Sequence, residues 1–330
     1  VRILVTGSIA TDHLMSFPGR FADSLVADKL SSVSLSFLAD ELQIRRGGVA
    51  PNICFGLGSL GLNPVLVGAA GADFEDYRAW LERHGVDTGA VHISEVHHTA
   101  RFVCTTDLDH NQIATFYAGA MSEARDIELH PVAVERGGAD LVVIGANDPE
   151  AMLRHTDECR YRSLPFAADP SQQLARMEGP EIRRLIEGAA FLLTNEYEAA
   201  LTEHKTGWTS TQVLDRVGVR VTTLGPAGVR VERAGYEPIE VKVPPEHARL
   251  DPTGVGDAFR AGFLAGWAWG IGLQRAAEVG SMLATLVIET VGTQEYDLQL
   301  GRFFSRFRAY YGEESAAAVA AHLPPVVTRT

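Results

Sequence analysis

Cysteine is nearly absent: the 330 residues hold three, Cys54, Cys104 and Cys159, each alone and with no Cys-x-x-Cys or Cys/His pairing. This argues against a disulfide framework and against a structural zinc site, and all three read as reduced residues in or near a core. Positive charge is also scarce. Lys plus Arg number 29 against 42 Asp plus Glu, a formal charge of −13, with no block of like charge. A nucleic-acid partner, which needs a basic face to neutralise phosphate, is therefore disfavoured. No apolar run reaches membrane-spanning length, and "VRILVTGSIATD" reads as a strand followed by a glycine turn rather than a charged and then apolar leader. No membrane partner is expected, and the cytoplasm is the default location. Gly-Lys-Ser/Thr at the required spacing is missing, which removes P-loop chemistry. Histidines lack metal-ligand spacing, His97 and His98 being adjacent and ahead of a strand.

What is present is an ordinary globular composition, 46% hydrophobic, long enough for a large domain plus a small one. From about Ala139 short apolar strands alternate with amphipathic helices: "DLVVIGA", then "DPEAMLRHTDECRYRS", "PFAADPS", "PEIRRLIEGA", "FLLTN", a helix from Glu196, and "RVTTLG". This rhythm predicts an α/β fold, a doubly wound and mainly parallel sheet whose ligands sit beyond the carboxyl ends of its strands. The polar residues just after those strands become candidates: Asn147, Asp169, Gln172, Gln173, Asn195, Glu198 and Thr223.

Two insertions break the rhythm. "KLSSVSLSFLADELQIRRGG" (Lys29 to Gly48) alternates serine with Val33, Leu35 and Phe37, and "TARFVCTTDLDHNQIATFYAG" (Thr99 to Gly119) reads as a hairpin turning at Asp109 to Asn111. With no helix pattern in either insertion, their sheet must bury its apolar face against the main domain, a ligand or another subunit. The expectation is a small β-sheet lid over residues 12–48 and 96–120 that also forms a homodimer contact, on a large domain of residues 1–11, 49–95 and 121–330. The tail "HLPPVVTRT" reads as loose.

"GLGSLG" holds Gly56, Gly58 and Gly61 in a GxGxxG pattern, but it lies inside a small-residue helix that leads into a strand, the reverse of a dinucleotide site. Close helix packing is the better reading. "DPTGVGD" (Asp251 to Asp257) is different, because Gly254 and Gly256 lack Cβ atoms and let successive N–H groups converge on an anion at a helix start. Such a cradle suits a transferring phosphoryl group, and Asp257 in the first turn could accept a proton from an attacking hydroxyl. The alternative is a structural helix start in which Asp257 only complements the dipole. "RRGGVAPN" (Arg45 to Asn52) places paired glycines at the end of a lid strand and Asn52 just inside a helix. "TNEYE" sets Asn195 and Glu198 three apart, able to order the waters of Mg2+ or simply to cap a helix. "TTLGPAG" (Thr222 to Gly228) supplies flexible backbone after a strand.

Together these segments resemble the signatures of the ribokinase-like, or PfkB, carbohydrate kinases: "GGVAPN" the first, "DPTGVGDAFRAGFL" the second and "NEYE" the family's Asn-x-x-Glu. The order and spacing fit nearly the whole chain. Pro252 and Val255 depart from the family's usual Thr and small residue, and Pro252 contributes no N–H. Within the family, "TGSIATDHLM", "HTARFVCTTD", "GANDPEAM", "ADPSQQLA", "TLGPAGV" and "ETVGTQE" look most like bacterial adenosine kinases. The resemblance implies transfer of the γ-phosphoryl of ATP, with Mg2+, to the 5′-hydroxyl of adenosine. It assigns Asp257 as base, Gly254, Val255 and Gly256 as the anion hole, and Asp12, Gly48 and Asn52 to the ribose hydroxyls. It places Asn195, Thr223, Gly225 and Gly228 against ATP, and Asp251 with "ETVGTQE" at a K+ site, unless Asp251 only braces its loop. The residues also point that way: Phe102 and Phe116, on the two arms of the hairpin, suit stacking on a base, and Gln172 and Gln173 carry the donors and acceptors of an adenine edge. Ser8, Ser36 and Met121 are further candidates for the pocket, Ser36 from a partner subunit. The rivals are a kinase for a sugar or another nucleoside, and a non-catalytic nucleotide-binding sensor.

Overall fold

A computed structural model describes residues 1–24 and 35–323. The strands are β1 (Ile3–Thr6), β2 (Ala10–Ser16), β3 (Glu41–Gly47), β4 (Val65–Gly71), β5 (Asp87–Ser94), β6 (Ala100–Thr106), β7 (Gln112–Tyr117), β8 (Leu141–Ile144), β9 (Phe166–Ala168), β10 (Phe191–Asn195), β11 (Val219–Thr223), β12 (Val229–Glu232) and β13 (Ile239–Val241). The helices are α1 (Phe21–Ser24), α2 (Val49–Ser59), α3 (Glu75–Arg83), α4 (Leu129–Glu135), α5 (Pro149–Arg162), α6 (Gly179–Ile186), α7 (Glu196–Thr206), α8 (Ser210–Leu214), α9 (Val255–Ala268), α10 (Leu273–Ile288) and α11 (Leu300–Ala320). No helix among the described residues is long and apolar enough to cross a membrane.

The large sheet runs β13-β12-β11-β10-β9-β8-β1-β4-β5. It is parallel from β5 through β11, with β12 and β13 added antiparallel at one edge. Its strands are apolar on both faces because helices cover both. Ile3 and Val5 of β1 pack with α2, α9 and α10, whereas Leu4 joins Val142, Ile144 and the α5–α6 side. The chain leaves β1 toward β4 and later returns to β1's other side as β8, so strand order reverses there. Such a switch point opens a crevice at the carboxyl ends. α9 and α10 cross at two glycines, where a Cβ on Gly262 would lie 2.7 Å from Gly280 Cα. In α2, a Cβ on Gly56 would come within 2.5 Å of Ala261 Cβ, as close helix packing requires.

The small sheet runs β3-β2-β6-β7. β2 begins at Ala10, just after the glycine turn, and runs on into the segment expected to supply the small sheet. The serine-alternating segment departs from expectation: Val33 lies outside the described residues, and Leu35 to Ala39 form no strand. The reason is the register. β2 pairs with β3 from Ala10↔Gly47 to Ser16↔Glu41, and beyond Asp40 N, which donates to Ser16 O, no ladder remains to join. Phe37 instead packs against Phe17 and Phe21, ring centroids 4.8 and 4.9 Å apart. Phe21 opens α1, which precedes the Lys29 to Gly48 insertion. The 99–119 hairpin forms as expected, its turn held by Asp107, which accepts from the N–H groups of Phe21, Asp109 and Asn111. Of the tail, residues 324–330 lie outside the described range.

Candidate active site

Register puts Asp12, Arg45, Phe102 and Phe116 on one face of the small sheet, since Asp12 pairs with Arg45 and Phe102, and Phe102 with Phe116. That face overhangs the switch point and roofs a cleft of about 430 Å³. Of the residues expected at a substrate, Ser8, Asp12, Gly48, Asn52, Phe102, Phe116, Met121, Gln172 and Gln173 line it, together with Gly254 and Asp257. Ser36 does not; it is exposed and outside the cleft of its own chain. Arg176, which nothing in the sequence marked, also lines it, as do Thr253 of "DPTGVGD" and Thr293 of "ETVGTQE", segments that were marked without these residues being singled out. Gly48 precedes α2 at φ +95°, where a Cβ would strike the Ser8 carbonyl, so the backbone itself faces the cleft.

A second cleft, about 220 Å³, is lined by Thr223, Gly225, Gly228, Val255 and Gly256, with Phe259 and, from α10, Ser281 and Thr285. Asn195 lies beside Thr223 in register but lines neither cleft. With Glu198 it forms a reciprocal cap on α7: Asn195 Oδ1 accepts from Glu198 N, and Glu198 Oε2 from Asn195 N, both at 2.8 Å. Each side chain thus spends one oxygen on the helix start, leaving Asn195 Nδ2 and Glu198 Oε1 outside the cap. Among the described residues no three metal-ligating side chains converge, so protein ligation of Mg2+ has no direct support. A hydrated ion does fit the charge nearby, where Asp169, Glu198 and Asp257 share the single guanidinium of Arg260 and Asp169 Oδ1 lacks a hydrogen-bond donor.

The two clefts meet at the start of α9. Gly254 caps the helix at φ +77°, and the N–H groups of Gly256 and Asp257 find no protein acceptor among the described residues. Free amides at a helix start point at an anion and carry its positive dipole. Gly256 leaves the room that Arg260 uses, since a Cβ there would lie 2.6 Å from its Nη1. Asp257 Oδ2 accepts from Asn52 Nδ2 at 2.8 Å. Burial pushes the Asp257 carboxyl up to about 6, against the pull of Arg260 and the Asn52 hydrogen bond. Burial also lifts Asp12 to about 6, against Arg45, and Asp169 to about 7, against Arg260, whose Nε stands 2.6 Å from Asp169 Oδ2. Asp12 and Asp257 thus put two raised carboxyls on one cleft, with Asp169 buried behind Arg260, a clustering that functional sites show more often than surfaces do.

Asp251 is fully engaged. Its Oδ1 accepts from Thr253 N at 2.9 Å, and its Oδ2 from Gly292 N at 3.0 Å and from Arg45 Nη1 at 3.3 Å. Two backbone donors and a guanidinium leave a donor set that does not suit a bound K+, and Asp251 joins the 251–254 loop to the 290–294 loop and to Arg45 of the small sheet. Asn147 is buried and does not line the first cleft, its Oδ1 accepting from Asp148 N.

The family model for pfkB family carbohydrate kinases matches residues 12–299. A nucleoside kinase of Methanothermobacter thermautotrophicus is 29% identical over 322 residues, 94% of this chain and 97% of that protein. The solved nucleoside kinase of Burkholderia thailandensis in complex with inosine matches at 32% identity and a TM-score of 0.82, over 94% of this chain and 99% of its own. Its complex with ADP-inosine matches at 32% identity and a TM-score of 0.80, over 94% and 96% of the two chains. With the match running from Asp12 to Gln299, the chain belongs to the pfkB family of carbohydrate kinases and has its ribokinase-like fold.

Proposed function

We propose that the protein is an ATP-dependent nucleoside kinase that transfers the γ-phosphoryl group of ATP to the 5′-hydroxyl of adenosine. The observation that carries this is the shared wall: Gly254 and Asp257 face the first cleft, Val255 and Gly256 the second, so a phosphoryl group can pass between two ligands at one helix start. Asp12 accepts from the ribose 2′ and 3′ hydroxyls, and Phe102 and Phe116 stack on the base under a lid of residues 12–48 and 96–120. Asp257 takes the 5′-hydroxyl proton as the new O–P bond forms and the bond to ADP breaks. The amides of Gly256 and Asp257 stabilise the charge on the moving group. Thr223, Gly225 and Gly228 line the nucleotide side. Mg2+ arriving with ATP, its waters ordered by Asn195 and Glu198, would neutralise phosphate charge.

The likeness to a kinase solved with inosine supports a wider nucleoside range. Arg176, an exposed guanidinium on the cleft wall beside Gln172 and Gln173, favours that second reading, because it offers donors to the 6-oxo group that adenine lacks. ADP release with MgATP separates the readings across adenosine, inosine, guanosine, ribose, fructose and fructose 6-phosphate. Nucleosides are expected to turn over and free sugars not. Replacing K+ by tetramethylammonium is expected to change nothing, because Arg45 already answers Asp251. Turnover with a sugar alone would overturn the nucleoside reading, and silence throughout would leave a nucleotide sensor.

Assembly follows from the lid's other face. The same alternation that aims Asp12 and Phe102 inward turns Met15, Leu42, Ile44, Val103 and Ile113 outward, with Leu42, Ile44 and Ile113 exposed. A homodimer through this face would cover it, and light scattering should give twice the 35.7 kDa chain mass. A mass of one chain removes the dimer.

A further inference from the structure

Asn52 divides its amide between two partners. Nδ2 donates to Asp257 Oδ2 at 2.8 Å, while Oδ1 accepts from Gln294 Nε2 at 2.8 Å. Gln294 is wholly buried and spends its own amide completely. Its Oε1 accepts from Trp80 Nε1 at 3.2 Å, and its Nε2 also donates to the Tyr77 hydroxyl at 2.6 Å, which in turn donates to Gly47 O at 2.9 Å.

The two ends of a carboxamide have nearly the same shape, so packing alone cannot choose which end faces Asp257. The choice must come from a partner of fixed polarity. An indole N–H only donates and a carboxylate only accepts. With Trp80 at one end and Asp257 at the other, one assignment satisfies every link: Gln294 turns its oxygen to Trp80 and its nitrogen to Asn52, and Asn52 turns its nitrogen to the carboxylate. Trp80 is itself fixed, stacked on Phe55 with ring centroids 5.9 Å apart and capped by the Arg46 guanidinium 4.1 Å from its ring. Were the Asn52 amide reversed, its oxygen would meet the Asp257 carboxylate, two acceptors without a proton between them.

We infer that Gln294, oriented by Trp80, is a positioning residue for the catalytic carboxylate: it locks the Asn52 amide with its N–H toward Asp257 and so aims Asp257 at the acceptor hydroxyl. This rests on the reading of Asp257 as the base. The chain also reaches the lid, since Gly47 O, at its far branch, precedes the glycine that carries α2 away from the small sheet.

The test compares wild type with Gln294→Glu and Trp80→Phe. The carboxylate introduced by Gln294→Glu could still accept from Trp80 but could offer Asn52 only an acceptor, forcing that amide to turn. Trp80→Phe removes the polarity signal, with part of the ring that stacks on Phe55 and Arg46, and keeps Gln294. Two readouts are taken, steady-state kinetics with MgATP and nucleoside, and the side-chain amide NMR signals of Asn52, assigned by their loss in Asn52→Ala. Gln294→Glu should lower kcat about 10- to 100-fold, as loss of an outer orienting partner does elsewhere, with Trp80→Phe lowering it less. Both KM values should stay within about threefold, because the lost interaction belongs to the transition state. The Asn52 signals should move in both variants. Unmoved signals, a wild-type kcat, or a loss confined to KM would each overturn the inference. Should Gln294→Glu fail to fold, Trp80→Phe carries the same two readouts. Absent wild-type turnover would refute the kinase reading instead, and the Asn52 signals would still decide for or against the orienting chain.

Discussion

Asp257→Asn is expected to lower kcat by about 10²- to 10⁴-fold, the usual worth of a positioned general base, while nucleoside affinity measured by calorimetry stays near wild type. The replacement keeps an oxygen for the Asn52 N–H and the shape of the helix start, so it removes the proton acceptor and little else. Wild-type kcat/KM should fall below pH 6, since burial holds Asp257 at about 6 and only its ionised form can take the proton. The residual rate of the variant should lack that fall. Protonation of Asp257 does not itself unfold the protein, although buried His155, held down to about 4, pulls stability the other way, so circular dichroism across the same pH range separates the limb from unfolding. Asp257 and Asp12 both bind protons more readily folded than unfolded, from an ordinary 3.8 up to about 6, so their contribution to stability improves as pH drops through that window. Near-normal turnover in the variant would remove the general-base assignment, and a silent wild type would favour the sensor.

Much of this site was legible because its parts are local. Buried parallel strands are short apolar runs, so β8 through β11 and the polar residues at their ends could be read directly, and "DPTGVGD" carries its cradle within seven residues. Locality also left choices open. Asn195 and Glu198 are spaced alike for a cap and for water around a metal ion, and forming the cap does not decide the second role. The serine alternation before Asp40 has strand periodicity, yet the partner strand ends at Ser16, a limit that no local pattern encodes. What could not be read is what lies far apart. Asn52 meets Asp257 across 205 residues, Gln294 meets Asn52 across 242, and Arg45 meets Asp251 across 206. None of these pairs leaves a spacing signature.

Arg260 belongs to that hidden class, and its replacement should be the most costly to the fold. It is buried on the apolar helix α9, where a sequence reading sees only one polar interruption. Its guanidinium stands 2.6 Å from Asp169 and 3.9 Å from Glu198, and its charge also restrains the Asp257 carboxyl. Arg260→Met fills much of the volume but leaves three carboxylates without their cation, and breaking a buried pair in this way costs roughly 3–5 kcal/mol. The deficit should depend on pH. Burial already lifts Asp169 to about 7, and losing Arg260 raises both it and Asp257 further, so the penalty on their charged forms is largest at pH 7.5 and eases as protonation neutralises them toward pH 5.5. The acid limb of any remaining activity should move upward for the same reason. Arg260→Lys, which keeps the charge, should recover part of the loss. Urea midpoints for the three proteins at the two pH values decide the matter: an equal deficit at both would assign it to packing, whereas a gap that closes on acidification assigns it to the carboxylates that Arg260 holds in place.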